Sequence, residues 1–121
     1  MESLNRVELV ASVTNNKTTR IGDTKVARMT VATNYAYKDK KGEPVCETTF
    51  FNVTVFQEKA KTDLEDIKDQ SIVRVKGRLR NIRFTDAATG AERTVTEILA
   101  SDLELISEAP APLKPELTEQ P

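Results

Sequence analysis

The chain of 121 residues carries 18 Lys+Arg against 19 Asp+Glu, 38% hydrophobic residues, one Cys, and neither His nor Trp. That length and apolar content fit one domain with a single modest core. The absence of histidine excludes Ser-His and Cys-His nucleophile pairs, His-rich zinc sites and imidazole proton shuttles, and the lone Cys46 excludes an internal disulfide.

No apolar run approaches the roughly 18 residues of a spanning helix, the longest being Leu9-Val10-Ala11 and Ile98-Leu99-Ala100. The N-terminus has no apolar signal core, so a cytoplasmic protein without a membrane partner is expected.

In chain order, segments rich in Val, Thr, Ile and Phe alternate with turn signals, the pattern of antiparallel β structure. The first strand is expected over residues 5–14 and the second over 25–35, with Asn15, Asn16 and Gly22 turning the chain between them. The polar segment from Lys38 to Pro44 reads as a hairpin loop leading into a third strand over 46–57. Residues 58–69 are expected to form the one helix, with Ala60, Leu64 and Ile67 on a single face. A fourth strand over 71–85, a turn at 86–90 and a fifth strand over 92–106 complete the order β-β-β-α-β-β. That is the layout of an all-β, five-stranded OB-fold barrel with one short helix between strands 3 and 4.

The domain is placed at residues 1–106, with 17 basic against 16 acidic groups. Residues 107–121 hold four of the five prolines, no aromatic residue, and one Lys against three Glu. Such a segment cannot offset its ordering entropy, and a disordered Pro-rich tail is expected.

Alternation sorts the third strand into Phe51, Val53 and Val55 on a core face and Phe50, Asn52, Thr54 and Phe56 on the other. Burying the second set would bury Asn52 and Thr54 without evident partners, so Phe50 and Phe56 read as surface aromatics. The fourth strand divides into Val73, Val75 and Leu79 against Arg74, Lys76, Arg78, Arg80 and, if the strand is regular, Phe84. Between Arg74 and Arg83 lie five basic residues and no acidic one, a localised charge of the kind a polyanion requires. Tyr35 and Tyr37 share parity with Met29 and Val31, so a regular strand turns them inward unless a bulge or the strand end intervenes.

Cations interleaved with exposed aromatics suit a single strand of nucleic acid, because the cations neutralise phosphates while the rings stack on bases that a duplex hides. The bland alternatives are a cationic face serving solubility and edge protection, and phenylalanines covered by a loop or a subunit contact. An enzymatic alternative, a magnesium-dependent nuclease built on Asp63, Glu65, Asp66 and Asp69, competes with the simpler reading of a solvated helix face. No other metal or cofactor set is evident, and no motif makes Cys46 more than an inert strand residue.

The segments Asn5-Arg6-Val7-Glu8-Leu9-Val10, Val26 to Asn34, Tyr37-Lys38-Asp39-Lys40-Lys41-Gly42-Glu43, Phe51 to Phe56, Val75-Lys76-Gly77-Arg78-Leu79-Arg80 and Val95-Thr96-Glu97-Ile98 follow one another in a recognisable order. Together they resemble the bacterial single-stranded DNA-binding protein family, OB-fold homotetramers of replication, recombination and repair, over residues 4–106. The resemblance implies base stacking by Tyr37, Phe50, Phe56 and Phe84. It implies phosphate contacts by Arg6, Lys40, Arg78, Arg80 and Arg83, with Arg74 and Lys76 as additions on the same face.

The chain departs from that family in four respects. Tyr37, Phe50 and Phe84 stand where Trp is usual, a basic signature after the helix reads Asp69-Gln70-Ser71, Asn52 occupies a usually basic or polar site, and the chain ends Glu116-Leu117-Thr118-Glu119-Gln120-Pro121 without the family's acidic, Phe-tipped tail. The last difference leaves recruitment of replication and repair enzymes without its usual element.

The expectation is therefore a non-enzymatic, nucleoid-associated binder of single-stranded DNA without strong sequence preference, assembled as a homotetramer or dimer. A dimeric OB-fold adaptor of primosomal type is the rival.

Overall fold

The computed structural model describes residues 2–108, so the expected tail lies outside the described residues except for Ser107 and Glu108. Five strands, β1 (Val7–Ile21), β2 (Thr24–Lys38), β3 (Pro44–Phe56), β4 (Ile72–Thr85) and β5 (Glu92–Ser107), close in the order β1-β2-β3-β5-β4. β4 returns to β1 through antiparallel pairs from Val7↔Gly77 to Ser12↔Ile72. The seam is a short parallel pairing of β3 with β5 at Val53↔Ile98 and Thr54↔Leu99, and the other pairings between these strands are antiparallel. This closed five-stranded barrel is the OB-fold. No helix of the described residues is long and apolar enough to cross a membrane.

The interior is packed with β-branched residues, whose stiff side chains suit a pleated surface. Val13, Val31, Val55, Val73 and Val75 are each 0 to 1% exposed. Asn15 and Asn16 do not turn the chain. β1 runs through them to Ile21 by way of an irregularity between Val13 and Asn15, and the turn is made by Gly22 and Asp23. Gly22 takes the first loop position at φ 63°, where a two-residue type II′ hairpin requires glycine.

The expected helix is absent. Residues 58–69 contain only the turn Leu64–Asp66 and the end of the turn Gln57–Lys59, both of 3-10 type. Backbone groups a helix would consume are bound from outside: Gln57 donates to the Thr62 carbonyl and accepts from the Leu64 amide, both at 2.9 Å, and the Asn16 amide donates to the carbonyls of Leu64 and Ile67. The Lys61 amide donates to the Leu103 carbonyl, and Asp63 is extended at φ −60°, ψ 127°. The apolar spacing that suggested a helix instead inserts Leu64 and Ile67 into the core, 0% and 2% exposed, with Ala60 packed against it.

Gly77 sits where the β4 backbone lies directly against that of β5. A Cβ there would lie 2.2 Å from the Leu99 carbonyl oxygen and 2.9 Å from the Ala100 Cα. Just beyond, the Asn5 side chain donates to the Leu79 carbonyl at 2.8 Å and accepts from its amide at 2.9 Å, continuing the β1–β4 ladder with a side-chain amide.

Candidate nucleic-acid interface

Strand alternation sends the side chains between the core valines outward, and the barrel's curvature gathers those of β1, β2, β3 and the β4–β5 hairpin into one groove. Its walls include Lys17, Arg28, Asn52, Thr54, Arg80 and Phe84, around a volume of about 630 Å³. Phe50 shares the β3 outer face with Asn52 and Thr54 and is 62% exposed, and Phe84 is 44% exposed. Phe56 has the same parity but is half-buried beside the Gln57 turn, so it is not the open surface aromatic its neighbours suggested.

Thr54 is 4% exposed, against expectation, because it has a partner 43 residues away. Its hydroxyl donates to Glu97 Oε1 at 2.8 Å. The other carboxylate oxygen accepts from Arg80 Nε and lies 2.7 Å from Arg80 Nη2 as well. Glu97 is 6% exposed, and a carboxylate so placed needs this neutralisation. Arg80, for which the resemblance implied a phosphate contact, is therefore paired rather than free.

The other expected cations divide by environment. Arg74 lies 3.7 Å from a Glu8 oxygen and 3.5 Å from a Glu104 oxygen, which removes it from the free set. Arg83 lines the groove. Arg6, Lys76 and Arg78 instead line a second cleft, of about 500 Å³, with Lys59 and Asn5 near the β4–β5 irregularity. Lys40 is exposed in the β2–β3 loop. Arg6, Lys40, Lys76, Arg78 and Arg83 make no ion pair among the described residues. Leu79, assigned to the core face, is 43% exposed because β4 has by then passed the barrel rim.

Tyr35 and Tyr37 do share parity with buried Met29 and Val31, yet they are 66% and 40% exposed. β2 and β3 run on past the barrel as a two-stranded ribbon, paired through to Lys38↔Pro44, and neither of its faces meets a core. Phe50 and Tyr37 stand opposite Ala32 and Val45, and the odd offset between those positions puts the two rings on opposite faces of the ribbon. The four aromatics thus do not form one flat platform within a single chain.

Sequence patterning missed Lys17, Arg28 and Glu97 as groove residues. Arg28, between buried Ala27 and Met29, was legible from alternation; Lys17 was hidden by the apparent turn at Asn15-Asn16. Glu97 was legible from the hairpin, since counting equally from both sides of the 86–91 turn sets it opposite Arg80.

The nuclease alternative loses its geometry with the helix. Asp63 accepts from Lys25 Nζ at 2.7 Å and from the Glu65 amide at 3.0 Å. The Lys25 hydrogen bond, then that amide, hold its carboxyl below the ordinary 3.8. The same bond raises Lys25 above 10.5. Among the described residues no group of three or more His, Cys, Asp or Glu is placed to hold a metal ion.

Known proteins resemble this chain in sequence and in fold. Single-stranded DNA-binding proteins of Neisseria meningitidis and Streptococcus pneumoniae are 26% and 30% identical over 106 and 105 residues, covering 86% and 85% of this chain. The matches cover 60% and 65% of those proteins, so the chain spans somewhat over half the length of the curated relatives it matches. A solved Plasmodium falciparum SSB complex with ssDNA shares the fold at a TM-score of 0.71 and 22% identity, covering 88% of this chain and 98% of that one. The model of the single-strand binding protein family matches residues 4–106, and the chain belongs to that family.

Proposed function

We propose that the chain binds single-stranded DNA without strong sequence preference, by stacking bases on exposed rings and pairing phosphates with free cations, and that it catalyses no reaction. The observation that carries this reading is the groove in which Phe84 lies among Lys17, Arg28 and Arg83, bordered by the β3 face that holds Phe50. Rings of this kind give about 1 to 3 kcal/mol per stacked base and are indifferent to its identity. A duplex offers the cations its phosphates but hides the base faces from the rings. The names of the matched relatives support the same reading, and replication, recombination and repair in the cytoplasm are where such binding is used.

Assembly into a homotetramer completes the proposal, because several copies would let one strand wrap over more than one groove with the gain of linked sites. Exposed Val10, Leu79 and Ile106, at 52%, 43% and 45%, supply apolar surface for such contacts. Light scattering should return the mass of four chains; a mass of two would favour the dimeric adaptor.

The direct test is fluorescence anisotropy of labelled oligo-dT at two salt concentrations, with duplex DNA of equal length as competitor. Salt-dependent binding that the duplex does not displace is expected. Absence of binding at low salt would refute the proposal.

A further inference from the structure

The β2–β3 ribbon carries a second aromatic element. The Tyr35 and Tyr37 rings lie 5.9 Å apart at an interplanar angle of 31°, within the range in which aromatic pairs attract and hold each other in place. Tyr35 is the most exposed aromatic side chain of the described residues at 66%, and no hydrogen bond engages its hydroxyl there. A ring that large, left in water on a ribbon with no core beneath it, contributes nothing to the barrel's packing. Alternation sets both tyrosines on the face opposite Phe50.

Charge near the pair is mixed, the acids Asp39, Glu43 and Glu47 matching the three lysines of the ribbon in number. Lys38, Lys40 and Lys41 lie at the ribbon tip and make no ion pair among the described residues. Asp39, the nearest acid in sequence, has Oδ1 turned to the amides of Lys41 and Glu43 at 2.8 and 2.9 Å. Glu47 faces Tyr35 across the ribbon and disfavours a phosphate at that end. Lys38 alternates with Tyr37 onto the Phe50 face, so a strand lying on the tyrosine face would set its bases on the rings and meet the cations of Lys40 and Lys41 at the tip loop.

We propose that Tyr35 is a further base-stacking residue, forming with Tyr37 a two-ring platform on the ribbon face opposite Phe50, so that single-stranded DNA grips the ribbon on both sides. The inference rests on the single-strand-binding reading above and adds a contact that neither the strand pattern nor the family resemblance assigned.

The composition provides a direct probe, because the chain has two tyrosines and no tryptophan, and its intrinsic emission comes from this pair alone. In Tyr37→Phe, Tyr35 is the sole emitter. Oligo-dT should quench it along a curve that saturates together with that variant's own anisotropy. In parallel, Tyr35→Ala should weaken binding about fivefold or more while Tyr35→Phe retains it, since the ring and not the hydroxyl stacks. Saturating anisotropy with unchanged Tyr35 emission, or equal affinities for Tyr35→Ala and the wild type, would overturn the inference and leave the groove reading standing. Absence of any anisotropy change in the wild type would overturn both.

Discussion

The pairing of Arg80 with Glu97 separates it from Arg78, which lies two residues earlier on the same outer face and makes no ion pair among the described residues. Each phosphate neutralised on a single strand contributes about 0.7 to the slope of log affinity against log salt. Replacing Arg78 with Gln should therefore reduce that slope by about 0.7, so that the affinity lost between roughly 50 and 200 mM salt becomes about 2.6-fold smaller. The paired replacement Arg80→Gln/Glu97→Gln removes one charge of each sign and should leave the slope unchanged. Glu97→Gln alone frees the guanidinium and should steepen the slope by up to about 0.7.

Stability moves in the other order. Arg78→Gln should be nearly silent in a thermal melt, because the side chain is exposed. Arg80→Gln leaves a carboxylate that is 6% exposed with only the Thr54 hydroxyl, at a cost of about 2 to 3 kcal/mol, below the value for a fully buried pair because Arg80 itself is 36% exposed. The assay is oligo-dT titration across a salt series beside melts of the same preparations. A slope reduced by about 0.7 in the double variant would mean that Arg80 reaches a phosphate despite Glu97, and the division of cations drawn here would be wrong.

Phe50→Ala and Phe84→Ala should each weaken oligo-dT binding by about 1 to 3 kcal/mol with little change in melting temperature, whereas half-buried Phe56→Ala should also lower the melt; equal effects on all three melts would contradict their different burial. Gly77→Ala should destabilise by about 2 kcal/mol or more, a fall in Tm on the order of 10 °C, because the added Cβ meets β5 backbone; an unchanged melt would show that the strands can separate without penalty. For Lys25 and Asp63, the lowered carboxyl contributes stability above its ordinary 3.8 that is lost as pH falls through the depressed value, and the raised ammonium contributes below 10.5 and is lost only above it. Lys25→Met should thus cost stability in urea unfolding at neutral pH, and that cost should shrink as pH falls below 3.8 through the depressed value; a difference that did not shrink in acid would assign the effect to something other than this ion pair.

Much of the barrel was readable from alternation, and where it misled the cause was geometric. Period-2 patterning identifies faces only while a strand remains in the barrel. It placed Val53, Val55, Val73 and Val75 inside, and failed at Tyr35, Tyr37 and Leu79, where the strands have left the core. The 3.6-residue spacing of Ala60, Leu64 and Ile67 was real as a packing pattern, but a segment that dips into a barrel end produces it as readily as a helix does. What decides between the two is where the backbone amides go, and Gln57 and Asn16 show no local sign of claiming them. Thr54 was misjudged for the same reason, since its partner lies on another strand.

The way the barrel is filled also determines where its function can sit. The interior of this five-stranded barrel is occupied by valines and plugged by Leu64 and Ile67, so any ligand must use the outer faces of the strands that build the core. Alternation makes those faces nearly independent: Phe50, Arg78 and Phe84 can change without altering the packing of Val53, Val55 or Val75. That independence ends at the β3–β5 seam. The parallel pairing there is brief, Thr54 belongs both to it and to the groove floor, and Glu97 ties Thr54 to Arg80 across the outside of the barrel. Substitutions at these three positions should move binding and stability together, while substitutions at exposed outer-face positions such as Phe50, Arg78 and Phe84 should move binding alone.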